Sequence, residues 1–244
     1  MRNIKTIIKR ELRSYFSTPV AYVFMIIFLA LSGAFSFYLG NFFIRGQADL
    51  DAFFQFHPWL YLLLIPSLSM RLWAEERKSG TIELLITLPV RTIEAVLGKY
   101  LAAWSFSGIS LICTFPMWIS VNILGNPDNG VILAGYIGSF LMAGAFLAIG
   151  SCISAITKNQ VVAFIITATV CFLFTLSGLQ LVLDFFRLWA PDILVEAVAS
   201  MSFLTHFQAI TNGVIDIRDL IFFSSLIFVW LFANVIVVEM KKAE

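Results

Sequence analysis

Asn129–Thr157 reads NGVILAGYIGSFLMAGAFLAIGSCISAIT, a stretch without a single Asp, Glu, Lys or Arg. A bilayer core about 30 Å thick takes roughly 20 apolar residues in helical form to cross, so this run is long enough to span it. Five more charge-free runs accompany it: Val20–Ile44, Ala52–Met70, Tyr100–Pro127, Asn159–Leu183 and Leu220–Val238. Every charged side chain falls in the intervals between them, as the cost of placing charge in hydrocarbon requires. Backbone polar groups in lipid must be satisfied within their own segment, which selects helices. The two-residue alternation of a membrane barrel is missing. The pattern predicts an all-α polytopic membrane protein with six transmembrane helices.

Composition agrees. Of 244 residues, 60% are hydrophobic and 13% charged, where a soluble domain runs nearer half and a quarter. This excludes a cytosolic enzyme and an extracellular disulfide scaffold. A net charge of +1 supports no nucleic-acid partner. Cys113, Cys152 and Cys171 all sit inside apolar runs and read as small hydrophobes. The first run is longer than the apolar core of a cleaved signal peptide and is expected to be a retained span.

Orientation follows from the basic residues. Thirteen Lys and Arg lie in the N-terminal tail, the interval after span 2, the interval after span 4 and the C-terminal tail, against three (Arg45, Arg187, Arg218) on the other side. The excess places both termini in the cytoplasm. Within the N-terminal tail, Ile4, Ile7, Ile8 and Leu12 share one side while Lys5, Lys9, Arg10 and Arg13 occupy the rest. That is the pattern of an amphipathic helix over Asn3–Phe16 lying on the cytoplasmic leaflet, or of a basic flank that only sets topology. In span 4, Gly135, Ser139 and Ala143, and again Gly144, Ala148 and Cys152, recur at four-residue spacing, which lets another helix approach closely. The outward interval Asp184–Asp219 is too apolar for a solvated loop and too charged to cross. It is expected to form a re-entrant helical hairpin dipping into the outer leaflet before span 6.

Catalytic signatures are missing. There is no G-x-x-x-x-G-K-[ST], no H-E-x-x-H and no G-x-S-x-G. His57 and His206 have no cysteine or carboxylate at ligand spacing, so no metal site is expected, and His57 before Pro58 reads as the start of span 2. No run contains a carboxylate to carry protons or a coupled cation. No span contains a charge that could form a channel ring.

One interval carries more information. Between spans 2 and 3 the chain reads EERKSGTIELLITLPV, Glu75–Val90, and then VLGK, Val96–Lys99. Ser79, Gly80 and Thr81 are helix-start residues and Pro89 is a stop, leaving about two turns between them. Ile82, Leu85 and Leu88 share a face, and Leu84 and Ile86 add apolar surface. So apolar a helix on a charged loop needs lipid headgroups or a partner protein to cover it.

This string resembles the acidic-Gly-Thr-aliphatic-Pro motif that follows the second span in type-2 ABC exporter permeases. RELRSYFSTPVAYV (Arg10–Val23) and HFQAITNGVIDIRDL (His206–Leu220) are similar to the subgroup that includes gliding-motility-associated and nitrous-oxide-reductase-maturation permeases. The resemblance covers essentially the whole chain. It implies a single permease domain over 1–244: a cytoplasmic N-terminal helix at 1–19, spans 1–5 at 20–183, the outer hairpin at 184–219, and span 6 with its tail at 220–244. It further implies a bacterial inner-membrane subunit that pairs with a second permease subunit, identical or related. Each would rest on a separate ABC ATPase holding the ATP and magnesium, and an auxiliary membrane subunit is plausible.

Ser79, Gly80, Thr81, Ile82, Glu83, Leu84, Leu85, Leu88 and Pro89 would form the coupling helix seated on that ATPase. Glu75, Glu76 and Arg77 would be its hinge, and the basic N-terminal helix would flank the same interface. Pro66 and Pro116 are either flex points of the moving bundle or tolerated kinks. Two functions stay open at this level: a transporter subunit moving a substrate, and an ATPase-driven scaffold acting on partner proteins with no solute crossing.

Overall fold

The computed structural model describes residues 2–80, 91–188 and 190–241. All the regular structure among them is helical. An amphipathic helix α1 (Arg2–Ser17) leads through Pro19 at the first position of α2 (Pro19–Ala34), which ends in a π-helical turn, Phe35–Leu39. Two single turns, α3 (Phe42–Arg45) and α4 (Asp51–Phe54), then precede α5 (His57–Ser69) and α6 (Arg71–Ser79). Next come α7 (Thr92–Ile112), α8 (Phe115–Leu124), the central α9 (Asn129–Ile156) and α10 (Gln160–Leu176). Short helices α11 (Gln180–Arg187), α12 (Asp192–Ser200) and α13 (Phe203–Thr211) lead to α14 (Ile217–Met240).

Four helical segments are long and apolar enough to cross a bilayer: Ala21–Leu39, Thr92–Leu124, Asn129–Ile156 and Ile217–Met240. Two bent pairs raise the number to six if each counts as one crossing: α10 with α11, bent by 75°, and α12 with α13, bent by 60°. The protein is thus a polytopic helical membrane protein whose segments are less regular than the charge-free runs. The run at 52–70 is a single turn followed by the 13 residues of α5, which rise only about 20 Å. The path carries on into the charged α6 through Met70, whose backbone stays helical. The run at 159–183 breaks at Ser177–Leu179, where Gly178 lies so close to Ser202 and Thr205 that a side chain would collide with both. The interval expected as an outer hairpin, 184–219, takes in the end of α11 and the bent pair α12–α13, whose 60° bend suits either a broken span or a re-entrant loop.

Polar residues close the helix ends at the bilayer boundaries. The Asp128 carboxylate accepts from the amides of Gly130 (2.8 Å) and Val131 (3.4 Å), Asn159 accepts from Val161 (2.9 Å), and Asp216 from Arg218 (3.1 Å). These caps satisfy N–H groups that have no partner inside the helix.

Helix α9 is the axis of the bundle. It packs against α5, α6, α7, α10, α13 and α14, and every residue from Met142 to Ala155 is buried. Its small residues allow this. A Cβ on Gly135 would lie 2.5 Å from Phe54, one on Gly144 2.8 Å from Trp104, and one on Gly138 2.9 Å from Ile210, while at Gly150 it would overlap Ser69. Ser139, Ala143 and Ala148 are also buried in α9. Without a hydrophobic drive between helices in lipid, close van der Waals packing holds such a bundle together.

Gly150→Leu is expected to cost about 1–3 kcal/mol through overpacking, read as earlier loss of the monodisperse species on heating in detergent. Gly33→Leu should change little, because a Cβ there meets only Phe37 at 4.0 Å.

Candidate functional site

The basic intervals converge on one end of the bundle. There α6 leaves the core, α7 begins, α9 ends, and α1 lies alongside. Segment 81–90, which holds the expected coupling-helix residues Thr81, Ile82, Glu83, Leu84, Leu85, Leu88 and Pro89, falls outside the described residues. Its two flanks are well described, and both are anchored.

On the upstream flank, α6 starts at a break that α9 closes. The Ser154 hydroxyl donates to the Met70 carbonyl (2.9 Å) and accepts from the amides of Trp73 and Ala74 (3.1 Å each). A second serine one turn away, Ser151, accepts from the Trp73 indole (3.3 Å) and from the Asn234 amide of α14 (2.6 Å). Orphaned backbone groups at a helix break in an apolar interior would each cost several kcal/mol, and these hydroxyls remove that cost.

Further along α6, Arg77 donates to the carbonyls of Ala155 (2.8 Å) and Ile156 (2.6 Å). A cation on the last carbonyls of a helix satisfies free acceptors and complements the helix dipole. Glu75 is exposed, and its carbonyl accepts from Ser79 (2.9 Å). Gly80 closes α6 with φ +73°, the left-handed conformation that suits glycine at a helix C-terminus.

The downstream flank is fixed by Glu94. Its carboxylate accepts from the Arg91 amide (3.3 Å), capping α7, and from the Asn3 side chain of α1 (3.1 Å). From there α1 and α7 run side by side in the same direction. Ile7 fills the space left by Gly98, where a Cβ would sit 2.6 Å away, and Tyr15 stacks on Phe106 with centroids 5.4 Å apart. The apolar side of α1 is thereby turned toward α7. Lys5, Lys9, Arg10 and Arg13 are exposed and line a shallow basic depression on its other side.

Lys99 ties the two flanks together. It is 3% exposed, and its ammonium lies 2.6 Å from Glu76 of α6, 3.5 Å from Glu11 of α1 and 5.3 Å from the centre of the Trp73 ring. Glu11 in turn pairs with Arg10 at 2.7 Å. Such neighbours offset the cost of burying the Lys99 side chain. Three helices remote in sequence thus meet on one cation.

Sequence reading singled out Glu76 and Arg77 but not the residues they engage. Lys99 was visible at the end of VLGK. Ser151, Ser154 and Asn234 are polar residues in otherwise apolar runs, which is a usable signal. Glu11 and Glu94 carried none. Elsewhere the fold joins residues that sequence spacing kept apart: His206 Nδ1 lies 2.6 Å from Asp219, and its Nε2 2.9 Å from the Ser200 carbonyl. His57 is fully buried among Phe28, Phe53, Phe54 and Tyr61. No group of three or more His, Cys, Asp or Glu side chains is placed to hold a metal ion among the described residues.

The arrangement is a short helix, α6, pinned at its base by Ser154 and near its tip by Arg77, and leading to segment 81–90. Removing the Lys99 charge should expose what it holds. Lys99→Met removes the buried cation that Glu76 and Glu11 share and is expected to cost about 3 kcal/mol, the low end of the range for a broken buried pair, since the Glu76 side chain keeps 22% exposure. Adding Glu76→Gln should recover part of it, measured by thermal challenge in detergent.

Comparison with curated protein sequences returns no match. Against protein families the result is positive: residues 60–238, from α5 through α14, match the family described as ABC-2 family transporter protein. The match covers most of the chain and includes the Met70 break, α6, both flanks of segment 81–90 and the central helix, so the chain belongs to the ABC-2 transporter family as a type-2 ABC permease.

Proposed function

We propose that this permease is driven by a separate ABC ATPase through segment 81–90. Membership in the family makes the chain a membrane component of an ABC transporter, not itself catalytic, with an ABC ATPase as the partner in general. The observation that carries the finer reading is the anchoring of both flanks. Arg77, Ser154 and Lys99 bind α6 to α9, α7 and α1, and Glu94 binds the start of α7 to α1. A force applied to a segment so held moves helices instead of dissipating in a loop.

On this reading residues 1–244 form one permease domain, and the basic end faces the cytoplasm of a bacterial inner membrane. Ser79–Pro89 seats in the ATPase, with Ile82, Leu85 and Leu88 on its apolar face. Glu75, Glu76 and Arg77 form its hinge, and the cations of α1 flank the same partner. Two permease subunits stand over two ATPases. ATP binding shifts the permease only by its differential affinity for the two states, and α6 passes that bias to α9 and α7 as a rigid-body displacement. Export is the direction favoured by the resemblance of the motif.

A scaffold that works on partner proteins remains the second reading, favoured by one observation. Within the bundle, α9 is surrounded mostly by packed apolar side chains, and among the described residues Lys99 and Asp219 are the buried charges. Substrate-stimulated ATP hydrolysis in liposomes supports transport, and partner-stimulated hydrolysis without solute movement supports the scaffold.

The coupling assignment has its own test. Gly80→Pro demands φ near −65° where the chain needs +73°, and Leu85→Asp puts a charge on the apolar face. Both are expected to insert normally and to lose the ATPase on co-purification by at least tenfold. Undiminished co-purification of both variants contradicts the assignment.

A further inference from the structure

Between α2 and α5, at the end of the bundle where α1 and α6 meet, lies a cavity of about 160 Å³. Its walls are apolar: Ala21, Phe24 and Ile27 of α2 face Leu64 and Leu68 of α5. Its polar end is formed by Tyr15, Thr18 and Arg71. Arg71 is the unusual member. It is half-buried, its Nε is shielded from solvent with no hydrogen-bond partner, and it takes part in none of the ion pairs among the described residues. The nearest acid along its own helix, Glu75, is exposed. The Tyr15 hydroxyl likewise makes no hydrogen bond among the described residues, whereas Thr18 donates to the Tyr15 carbonyl.

A guanidinium partly withdrawn from water, with its Nε unbonded and no ion pair, is unfavourable, and its fork of donors matches phosphate and carboxylate oxygens, of which a bilayer surface supplies phosphate. We propose that this cavity binds one anionic phospholipid from the adjoining leaflet, with its phosphate on Arg71 and the Tyr15 hydroxyl and a section of one acyl chain between α2 and α5. Size decides how much of the lipid enters. Enclosing a whole drug-sized ligand takes roughly 300–1,000 Å³, so this cavity holds part of a chain and leaves the rest in the bilayer. Charge decides the headgroup. Lys5, Lys9, Arg10 and Arg13 lie exposed on α1 nearby, and such a cluster enriches anionic over zwitterionic lipid at the surface. Burial and then the Glu11 carboxylate raise the Tyr15 phenol above its ordinary value, with Arg71 opposing and Glu75 adding to the rise, so Tyr15 stays protonated and able to donate. The bound lipid bridges α1, α2 and the base of α6. This inference requires only that the chain sits in a bilayer and is independent of the ATPase reading.

The test uses the full chain purified in mild detergent and exchanged with palmitoyl-oleoyl phosphatidylglycerol or the phosphatidylcholine of the same chains, with retained lipid counted by native mass spectrometry. The wild type should keep one phosphatidylglycerol under activation that strips phosphatidylcholine. Arg71→Gln should lower that retention about tenfold, and Arg71→Lys, which keeps the charge and loses the fork, should fall between the wild type and Arg71→Gln. Ser67→Phe, which fills the cavity and leaves every charge in place, should lose the lipid as well. If Arg71→Gln does not insert, Ser67→Phe decides alone: loss of the lipid supports the site and full retention overturns it. Equal retention of the two lipids by the wild type, or displacement of phosphatidylglycerol by inorganic phosphate at millimolar concentration, also overturns it, the latter by showing that the acyl chain plays no part.

Discussion

A single serine hydroxyl holds the point on which this architecture turns. At Met70, between α5 and α6, the helical hydrogen-bond ladder is interrupted, and backbone groups at such a point cannot be left bare in an apolar interior. Ser154 of α9 reaches three of them, donating to Met70 and accepting from Trp73 and Ala74. It can do so because Gly150, one turn earlier, lets α5 approach to the contact distance of Ser69. Close packing of small residues and satisfaction of a helix break are therefore one device. The position of α6 follows from where Ser154 sits on α9.

Around this pin the charges arrange themselves by the same economy. Lys99 is too buried to stand alone, and it is shared between Glu76 and Glu11 over the Trp73 ring. Arg77 turns to the free carbonyls of α9 instead of to an acid. These contacts bring the N-terminal helix, α6 and the central helix into one unit, while α12, α13 and the His206–Asp219 contact stand at the other end of the chain's path through the bilayer. Such a unit suits a membrane subunit that receives work from outside.

Much of this could be read from residues alone. The absence of charge in six runs foretold a polytopic helical protein, because hydrocarbon penalises every ionised group alike. The informative loop stood out by contrast, as apolar residues where charge was expected. The bends did not show. A run such as 159–183 gives no sign of breaking at Gly178, because the cause is the approach of Ser202 and Thr205 from another helix. Nor does 52–70 announce that only α5 is a sustained helix. Lys99 could be seen as a cation at the edge of a span, yet its partner Glu11 lies far away in sequence, and nothing local links the two. Amphipathicity in α1 was plain, but its apolar side turns to Gly98 and Phe106 on α7, a choice set by a neighbour's shape and not by periodicity. Arg71, counted only as a topological charge, gained meaning once the structure showed it unpaired beside a cavity.

The central claim is that segment 81–90 meets an ATPase while its flanks hold it rigidly to the bundle. A photo-crosslinking amino acid placed at Leu85, in the native membrane, tests it most directly. The account predicts a protein adduct whose partner carries a P-loop, strongest at Leu85 and Leu88, weakened on the opposite side at Glu83, and responsive to added nucleotide. Crosslinks to lipid alone, with no protein adduct from any of these positions, would contradict it and leave the segment an interfacial helix.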